Sequence, residues 1–439
     1  MLKTLVGAFK NKDIRKKILY TLMILVIVRV GSLLPIPGVD TEYFSSLLSG
    51  INTGDLSYLS AFTGGSFERM SLFALSITPY ITSSIIMQLL AIAIPKLEEM
   101  QKEGEDGRKK IAAITRYVTI ALALIESIAM AVGFGRSGLI KGYQGFSTLH
   151  YIVSIIVVVA ALTAGSAMLM WLGERITENG VGNGISIVLL INIISGMPSD
   201  FATLYSTFVA PRTIAKGVLA AAIIIAILVV MVVLVCFLQD GERRIPVQYS
   251  QKVSGRKTFG GQSTNIPLKV NTAGVMPVIF ASSLMQFPVI IAQLFGKSYE
   301  WTRYLSSSYW CRISAPKYSI GLILYIVLLI IFAYFYTSIT FNPIEVADNL
   351  KKAGGVVPGI TPGRSTSEYL NKILNYIVFI GAVGLMIVAL IPIMCTGFFN
   401  ASVSFGGTSI IIIVGVVLET MKQIESMMVN RNYRGFLSE

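Results

Sequence analysis

The chain alternates long apolar runs with shorter polar segments, and about ten of the runs approach the roughly 20 residues needed to cross about 30 Å of hydrocarbon. We name these runs spans 1 to 10 and place them near residues 18–36, 71–94, 114–134, 151–172, 184–205, 216–238, 272–294, 319–341, 373–394 and 405–421. The pattern predicts an all-α polytopic membrane protein with ten transmembrane helices.

The basic residues are distributed unevenly between the two sides of the spans. Lys and Arg are concentrated before span 1, between spans 2 and 3, 6 and 7, and 8 and 9, and after span 10. Cytoplasmic segments of membrane proteins carry an excess of these residues. The bias therefore predicts that both termini and the long loops lie in the cytoplasm, in agreement with an even number of spans.

Five predicted spans lie on each side of the polar stretch around Pro211. An odd number of spans in each half means that, if the halves share a fold, the second half is inverted relative to the first. Transporter folds built from inverted repeats place their working site between the repeats. We therefore predict an N-terminal half, 1–206, and a C-terminal half, 207–439, with the site between them.

The apolar stretch from Phe62 to Leu90 is interrupted at Gly64-Gly65 and Glu68-Arg69. The part before Ser71 is too short to cross a bilayer, and lipid cannot satisfy the backbone groups of an irregular segment. We therefore expect another part of the protein to cover it.

Two predicted cytoplasmic loops, 240–270 and 341–372, are unusually long. The first alternates β-prone and polar residues around a Gly-rich middle, which predicts a short hairpin. The second opens with a helix-like stretch after Pro343 and then turns at three Gly-Gly or Pro-Gly pairs. Basic loops of this kind are candidate docking surfaces for an acidic or nucleic-acid partner. The alternative is that they only determine topology.

Composition excludes several classes of function. The chain is 54% hydrophobic and 13% charged, with three cysteines far apart and His150 as its one histidine, so metal sites and histidine-based catalysis have little to work with. The glycines at 180, 182 and 184 precede span 5 without the Lys of a phosphate-binding loop, which favours a tight turn. We predict no enzyme activity, no cofactor and no metal.

A secondary transporter shares the inverted ten-span plan and is the alternative function. Transporters usually carry ionisable residues in their spans to bind coupling ions. The candidates in this chain are Arg29 and Glu126. A pore needs no such groups, and it also accounts for the long basic loops.

Five long motifs resemble the SecY family, the central subunits of the bacterial SecYEG protein-conducting channel, or translocon. The motifs are FTGGSFERMSLFALSITPYI, GERITENGVGNGIS, KVNTAGVMPVIFASS, FNPIEVADNLKKAGGVVPGI and SFGGTSIIIIV. The resemblance runs from span 1 to the C-terminal tail. It implies ten helices in two inverted five-helix halves around a central pore, with a lateral gate between spans 2/3 and 7/8. The implied function is to move unfolded secretory polypeptides across the membrane and to release membrane-protein segments sideways into lipid.

The resemblance also assigns residues to the pore. It implies a plug at about 57–69, which includes Phe62, Gly64 and Gly65. It implies a constricting ring of aliphatic side chains formed by Ile77, Ile81, Ile185, Leu189, Ile279 and Ile412. Two pairs in this ring have i, i+4 spacing, which places the members of each pair on one helix face.

Polar residues are assigned to the gate and to the cytoplasmic surface. The family's lateral-gate cluster corresponds to Thr82, Glu126 and Asn271, and its basic loop tip to Arg243 and Arg244. Thr361 stands where the family has an arginine that the motor uses, and Arg364 lies close enough in sequence to replace it.

The implied partners are the SecE and SecG subunits, the SecA ATPase, the ribosome, signal sequences, translocating polypeptides and the lipid bilayer. The implied location is the bacterial plasma membrane. The chain has no nucleotide-binding P-loop, so we expect a partner to supply the energy.

Overall fold

The computed structural model describes residues 2–42, 44, 46, 63–134, 148–210, 214–249, 252–254, 257–259, 263–294, 300–312, 316–399 and 407–435. Ten long helices within these ranges correspond to the predicted spans, and we keep the names span 1 to span 10 for them. Their bounds are Lys12–Leu33, Thr78–Ala93, Glu105–Phe134, Thr148–Asn179, Gly184–Leu204, Ile214–Asp240, Met276–Leu294, Ile320–Thr340, Arg364–Phe399 and Gly407–Gly435.

Six of the ten helices, spans 3, 4, 5, 6, 8 and 9, can cross a membrane by length and composition alone. Span 2 is shorter and is followed, at a bend of 106°, by the helix Pro95–Lys102. Spans 1, 7 and 10 are the remaining three, and each is short in its apolar part or charged near one end. The all-α polytopic fold predicted from the sequence is confirmed.

Span 2 begins later than predicted, at Thr78 and not near residue 71. Ser76 has a positive φ of 53°, which an α-helix does not contain, and Pro79 lies in the first turn, where a missing N–H is tolerated. Spans 3 and 9 begin nine residues earlier than predicted, at Glu105 and Arg364, because polar residues continue the helix beyond the apolar run. Hydropathy locates the apolar part of such a helix and misses the polar turns that precede it.

The same five pairs of neighbours occur in each half of the molecule. In the first half span 1 packs on spans 4 and 5, and spans 2, 3, 4 and 5 pack in succession. In the second half span 6 packs on spans 9 and 10, and spans 7, 8, 9 and 10 pack in succession. The halves meet where span 10 packs on spans 5 and 1 and where span 3 packs on span 7.

A central apolar cluster holds the halves together. It draws buried side chains from every described span except spans 2 and 3, including Ile24 of span 1, Met231 of span 6 and Leu329 of span 8. A second cluster joins spans 3 and 4 to the segment between spans 1 and 2. That segment is also tied to the end of span 1, because Ile36 N donates to Met70 O (3.1 Å) and Leu72 N donates to Leu34 O (2.9 Å).

The N-terminal helix Leu2–Lys10 packs beside the C-terminal part of span 10. A small cluster there contains Ala8, Val181 and Ile424. The two ends of the described chain therefore lie on the same face of the molecule, as an even number of spans requires.

The predicted hairpin after span 6 is confirmed. Strand β1 (Glu242–Tyr249) pairs antiparallel with β4 (Ser263–Lys269), with Glu242 opposite Lys269. Between them β2 (Lys252–Ser254) pairs with β3 (Lys257–Phe259). Apart from these strands and the short β5, the described fold is helical.

The second loop adds a strand to the same sheet. Its predicted helix is confirmed as Pro343–Lys352, with the Asn342 side chain accepting a hydrogen bond from Ile344 N at 3.1 Å. The predicted turns are also confirmed, with positive φ at Gly354, Gly359 and Gly363. Strand β5 (Gly355–Val356) then pairs with the free edge of β1.

The two loops therefore form one unit, which we call the cytoplasmic unit after the location predicted for it from the distribution of Lys and Arg. Val247 of β1, Leu350 of the helix and Leu370 of span 9 belong to one buried apolar cluster. The sequence predicted the hairpin and the helix separately but not their union.

Candidate functional site

The six predicted ring residues converge on the central cluster. Ile77, Leu189, Ile279 and Ile412 are buried members of it, and Ile81 and Ile185 pack against it half-buried. Ile77 is the N-cap residue of span 2, and its carbonyl accepts a hydrogen bond from Ile81 N at 3.1 Å. The structure thus brings together aliphatic side chains of spans 2 and 5 from the first half and of spans 7 and 10 from the second half.

The Gly-rich turn fixes the start of span 5 and so positions Ile185. The Asn183 side chain caps the helix by accepting from Ile185 N at 3.1 Å, and Gly184 N donates to Thr177 Oγ1 at 2.9 Å. A Cβ on Gly184 would collide with the carbonyl oxygen of Gly173 in span 4. The interpretation as a tight turn is confirmed, and close packing on span 4 is the reason for a glycine at this position.

The predicted plug is described from residue 63 onward, and Phe62 lies outside the described residues. Gly64 to Met70 form turns, so the short helix expected for the plug does not extend into them. Two glycines with φ of +61° and +80° at positions 64 and 65 prevent it, because this is the left-handed region.

Gly64 lies directly against span 5. A Cβ there would collide with Ser195 Oγ and would lie 2.7 Å from the carbonyl oxygen of Asn192. No described atom lies within 4 Å of a Cβ built on Gly65. Span 5 therefore covers part of the short segment before Ser71, for which the sequence predicted a covering element.

Asn192 is a residue of this site that the sequence reasoning missed. It is 2% exposed, and its Nδ2 donates to Ser76 Oγ at 3.1 Å, which ties span 5 to the turn that leads into span 2. A primary amide inside a mostly apolar span is expensive to bury without a partner, and that signal was available in the sequence.

The structure does not join the three predicted lateral-gate residues by hydrogen bonds. Thr82 Oγ1 donates to Thr78 O in its own helix (3.1 Å), and Asn271 Nδ2 donates to Gly274 O in the turn before span 7 (2.9 Å). Glu126 has no hydrogen bond or ion pair within the described ranges. Short local acceptors satisfy Thr82 and Asn271 first, which is the physical reason that the cluster does not form.

Other polar pairs connect the helices near the predicted gate. Ser83 Oγ of span 2 and Thr119 Oγ1 of span 3 are 2.5 Å apart, and Thr163 of span 4 donates to Ser127 Oγ of span 3 at 3.1 Å. Hydroxyl pairs of this kind hold neighbouring membrane helices together. They join spans within the first half, whereas span 3 and span 7 meet across the halves.

Arg243 and Arg244 lie at the base of the hairpin, which corrects the prediction that they form its tip. They are the second and third residues of β1, close after the end of span 6, and the hairpin extends beyond them to the pair formed by β2 and β3. Both are exposed, and Arg244 Nη2 lies 2.6 Å from Glu242 Oε1. The long strand pairing places the start of the loop next to its end, so the first residues remain near the membrane.

Arg364 lies in the first turn of span 9 and is more accessible than Arg244, whose side chain is 68% exposed. Its side chain is 93% exposed and lies 3.0 Å from Glu368 Oε1. The carbonyl of Thr361 accepts from Thr366 Oγ1 at 2.9 Å, so Thr361 helps to start the helix.

The six side chains therefore lie in an apolar environment. Within the part of the chain that the structure describes, no group of three His, Cys, Asp or Glu side chains is placed to hold a metal ion. Aliphatic side chains give a passing ion no ligand that replaces its water, which is how hydrophobic constrictions close a pore.

Comparison with known proteins gives a consistent result. The SecY family model matches residues 71–421. The protein translocase subunit SecY of Streptomyces galbus is 44% identical over 446 residues, which cover 100% of both chains. A solved structure of a SecY channel, whose plug domain stabilises the closed state and maintains a membrane seal, is similar with a TM-score of 0.64 and 17% identity over 94% of this chain and 92% of that one. Sec61 in the canine ribosome–channel complex is similar with a TM-score of 0.61 and 18% identity over 94% and 93%.

Proposed function

The chain belongs to the SecY family of protein translocase subunits, and from this premise we propose that it forms the pore through which unfolded secretory polypeptides cross the bacterial plasma membrane. The observation that carries the proposal is the convergence of the six aliphatic ring residues, from spans of both halves, on one central cluster. The working site then lies between the halves, as in other folds built from inverted repeats.

The ring seals the resting channel against ions while it lets a polypeptide through. Moving an ion from water into a low-dielectric throat costs on the order of 20 kcal/mol in the idealised Born limit, and water that enters with the ion lowers this barrier. An unfolded chain displaces flexible aliphatic side chains and finds no specific contact that would hold one sequence. A tight but unselective pore follows.

The plug reinforces this seal from the side opposite the cytoplasmic unit. Gly64 against span 5 and the hydrogen bond between Asn192 and Ser76 support a plug that is held on the pore wall in the resting state. Few polar contacts and one buried aromatic side chain, Phe67, hold its described part, and in this proposal a translocating chain displaces it.

Lateral release uses the contact between spans 3 and 7. This contact joins the halves, as do the contacts of span 10 with spans 5 and 1. Separating spans 2/3 from 7/8 opens the pore to lipid, and an apolar signal sequence or membrane segment leaves by this route. Thr82, Glu126 and Asn271 line the gate in this proposal, with Glu126 poised to bond a partner once the helices part.

The cytoplasmic unit is the docking surface for the partner that drives transport. Exposed Arg243, Arg244 and Arg364 suit both RNA phosphates and carboxylates, so the ribosome and the SecA ATPase are both candidates for this surface. SecE and SecG complete the channel in this proposal, and both termini of the chain are cytoplasmic.

A conductance measurement tests the ring. Replacing Ile81, Ile185 and Ile412 together with asparagine should raise the ion conductance of the resting channel in planar bilayers about tenfold, which corresponds to a barrier lowered by about 1.4 kcal/mol. The reason is that amides hydrate the constriction.

The same three positions changed to leucine provide the control, because leucine preserves the volume and the apolar surface. The leucine variant should leak no more than the unmodified channel. A leak in the asparagine variant that equals the leak of the leucine variant would contradict the ring.

A further inference from the structure

The loop that joins spans 7 and 8 carries more positive charge than its position predicts. It lies at the end of these spans opposite the β-hairpin, where Lys and Arg are normally scarce. Its described part nevertheless contains Arg303, Arg312 and Lys317 with Glu300 as the acidic residue. The rule that Lys and Arg favour cytoplasmic loops does not account for these cations, which indicates that they have another role.

Three tyrosine rings bring the cations together. Arg303 Cζ lies 5.8 Å and Arg312 Cζ lies 5.1 Å from the centroid of the Tyr309 ring. Lys317 Nζ lies 4.9 Å from the centroid of Tyr318, whose ring contacts those of Tyr304 and Tyr309. The negative faces of the rings offset part of the repulsion between the cations, and an anion among them would offset more.

Both Arg303 and Lys317 are fully charged in this arrangement. Their hydrogen bonds to Tyr318 are the largest cause of a raised pKa for each of them. Arg303 Nη1 reaches Tyr318 Oη at 3.5 Å. Arg312 Nε is buried and has no hydrogen-bond partner among the described residues.

The loop is held rigidly on the first turns of span 8. Trp310 Nε1 donates to Tyr304 O at 2.8 Å, and Cys311 N donates to Ser319 Oγ at 3.2 Å. A Cβ on Gly321 would collide with Tyr304 O, so the loop backbone rests directly on span 8. A site on this loop is therefore preformed, which reduces the entropy lost on binding.

The start of span 8 also favours an anion. A 3-10 turn, Pro316–Ser319, leads directly into this helix, so its N-terminal end lies at the cationic loop. The helix dipole adds partial positive charge at this end.

An apolar stripe on span 8 begins where the cationic cluster ends. Ile320, Ile323, Leu324, Val327 and Ile331 are all exposed, at 64%, 63%, 45%, 45% and 54%. Their spacing places them on one face of the helix. At 1.5 Å per residue the stripe is about 16 Å long, which is close to half of the roughly 30 Å hydrocarbon thickness.

We propose that this loop and stripe form a binding site for an anionic phospholipid of the non-cytoplasmic leaflet. The headgroup phosphate lies among Arg303, Arg312 and Lys317, and an acyl chain lies along the exposed face of span 8. A free phosphate would share the cationic contacts, and an acidic protein segment would match the charge. Only a lipid also accounts for an apolar stripe one leaflet long. The site is independent of the proposed channel function.

Tryptophan fluorescence tests the site, because two of the three tryptophans of the chain, Trp301 and Trp310, lie in this loop. The full-length protein with Trp171→Phe is placed in vesicles that contain a small fraction of phosphatidylglycerol or phosphatidylcholine with brominated acyl chains, which quench nearby tryptophan. We expect brominated phosphatidylglycerol to reach half-maximal quenching at about a tenfold lower mole fraction, because each cation near the surface attracts the anionic headgroup. High salt should reduce this preference.

The double variant Arg303→Gln/Arg312→Gln should lose the preference and keep the quenching by phosphatidylcholine, which also reports that the loop is folded. If it fails to fold, Lys317→Gln, at an exposed position, should lower the preference severalfold. The matched control is Lys351→Gln/Lys352→Gln on the cytoplasmic helix, which should retain it. Equal quenching by the two lipids, a preference that survives in the arginine variant, or its loss on addition of millimolar inorganic phosphate would each overturn the proposal.

Discussion

Gly64 and Gly65 are neighbours with similar left-handed backbone angles, yet only Gly64 touches the pore wall. A side chain on either residue adopts an unfavourable conformation, which costs roughly 1–2 kcal/mol. A side chain on Gly64 also collides with Ser195 and with the backbone of Asn192, whereas one on Gly65 meets no described atom within 4 Å. Substitutions at the two positions therefore distinguish the effect of backbone strain from the effect of contact with span 5.

We predict that Gly64→Ala raises the resting ion conductance in planar bilayers severalfold, because the new methyl group pushes the plug segment away from span 5. Gly65→Ala carries the same backbone strain without the collision and should stay near the unmodified level. Equal conductance in the two variants would show that strain alone, and not the contact with span 5, governs the seal.

Sequence and structure agree at the residue scale where the relevant signal is local. Ile77 with Ile81, and Ile185 with Leu189, are recognisable as pairs because a helix places i and i+4 on one face. The bond between Asn192 and Ser76 joins residues 116 positions apart, and no local pattern identifies such a partner. The prediction that Arg243 and Arg244 form the tip of the loop was wrong for a related reason. Their position depends on which residues of β1 and β4 pair with each other, and these residues are far apart in the sequence.

The cytoplasmic unit shows the same limit at the scale of elements. Alternation and a Gly-rich middle predict a hairpin, and Asn342-Pro343 predicts a helix start, because each signal lies within a few residues. Strand β5 has only two residues, Gly355 and Val356, and carries no pattern of its own. It is a strand because the edge of β1 and the buried cluster around Leu350 hold it there.

We predict that Arg243→Glu/Arg244→Glu reduces SecA-driven translocation into reconstituted vesicles by about tenfold or more and leaves resting conductance unchanged. Both side chains are exposed, so their reversal repels an acidic partner and leaves the buried cluster intact; close charge pairs at interfaces couple by about 1.5–7 kcal/mol. Translocation is measured as protease-protected substrate.

The variant Lys109→Glu/Lys110→Glu at the start of span 3 is the control, with the same change in charge at exposed positions outside the sheet. It should transport at nearly the normal rate. A loss that is equal in both variants would point to net charge and remove the case for docking at β1.

At the scale of the whole molecule, the contacts between the halves are not equivalent. In the contact of span 5 with span 10, span 5 continues into the short connection between the halves, where a π-helical turn, Tyr205–Val209, packs on both span 5 and span 6. Span 3 on span 7 has no such connection among the described residues. The first contact is therefore suited to act as a hinge and the second to open.

We predict that a signal peptide lengthens the distance between spin labels on spans 3 and 7 more than the distance between labels on spans 5 and 10. Exposed Ile128 and Leu284 are suitable positions for the first pair, and Ile194 and Val417 for the second. The three native cysteines are first replaced with serine. Equal lengthening of both distances, measured by double electron–electron resonance, would contradict a hinge at span 5.

The inverted plan was predicted from the number of spans alone, and the identical order of neighbours in the two halves is its physical expression. The amino-acid sequences of the two halves show no visible repeat. Packing in a membrane depends on size and shape at each contact, so different side chains build the same arrangement.

The attachment of β5 to β1 has a mechanical consequence. Spans 7 and 8 are preceded by β4 and followed by the helix and β5, so the cytoplasmic ends of both spans are fastened to a single sheet. A force that a partner applies anywhere on that sheet therefore acts on the two spans together. If a partner docks there as proposed, spans 7 and 8 should therefore move together.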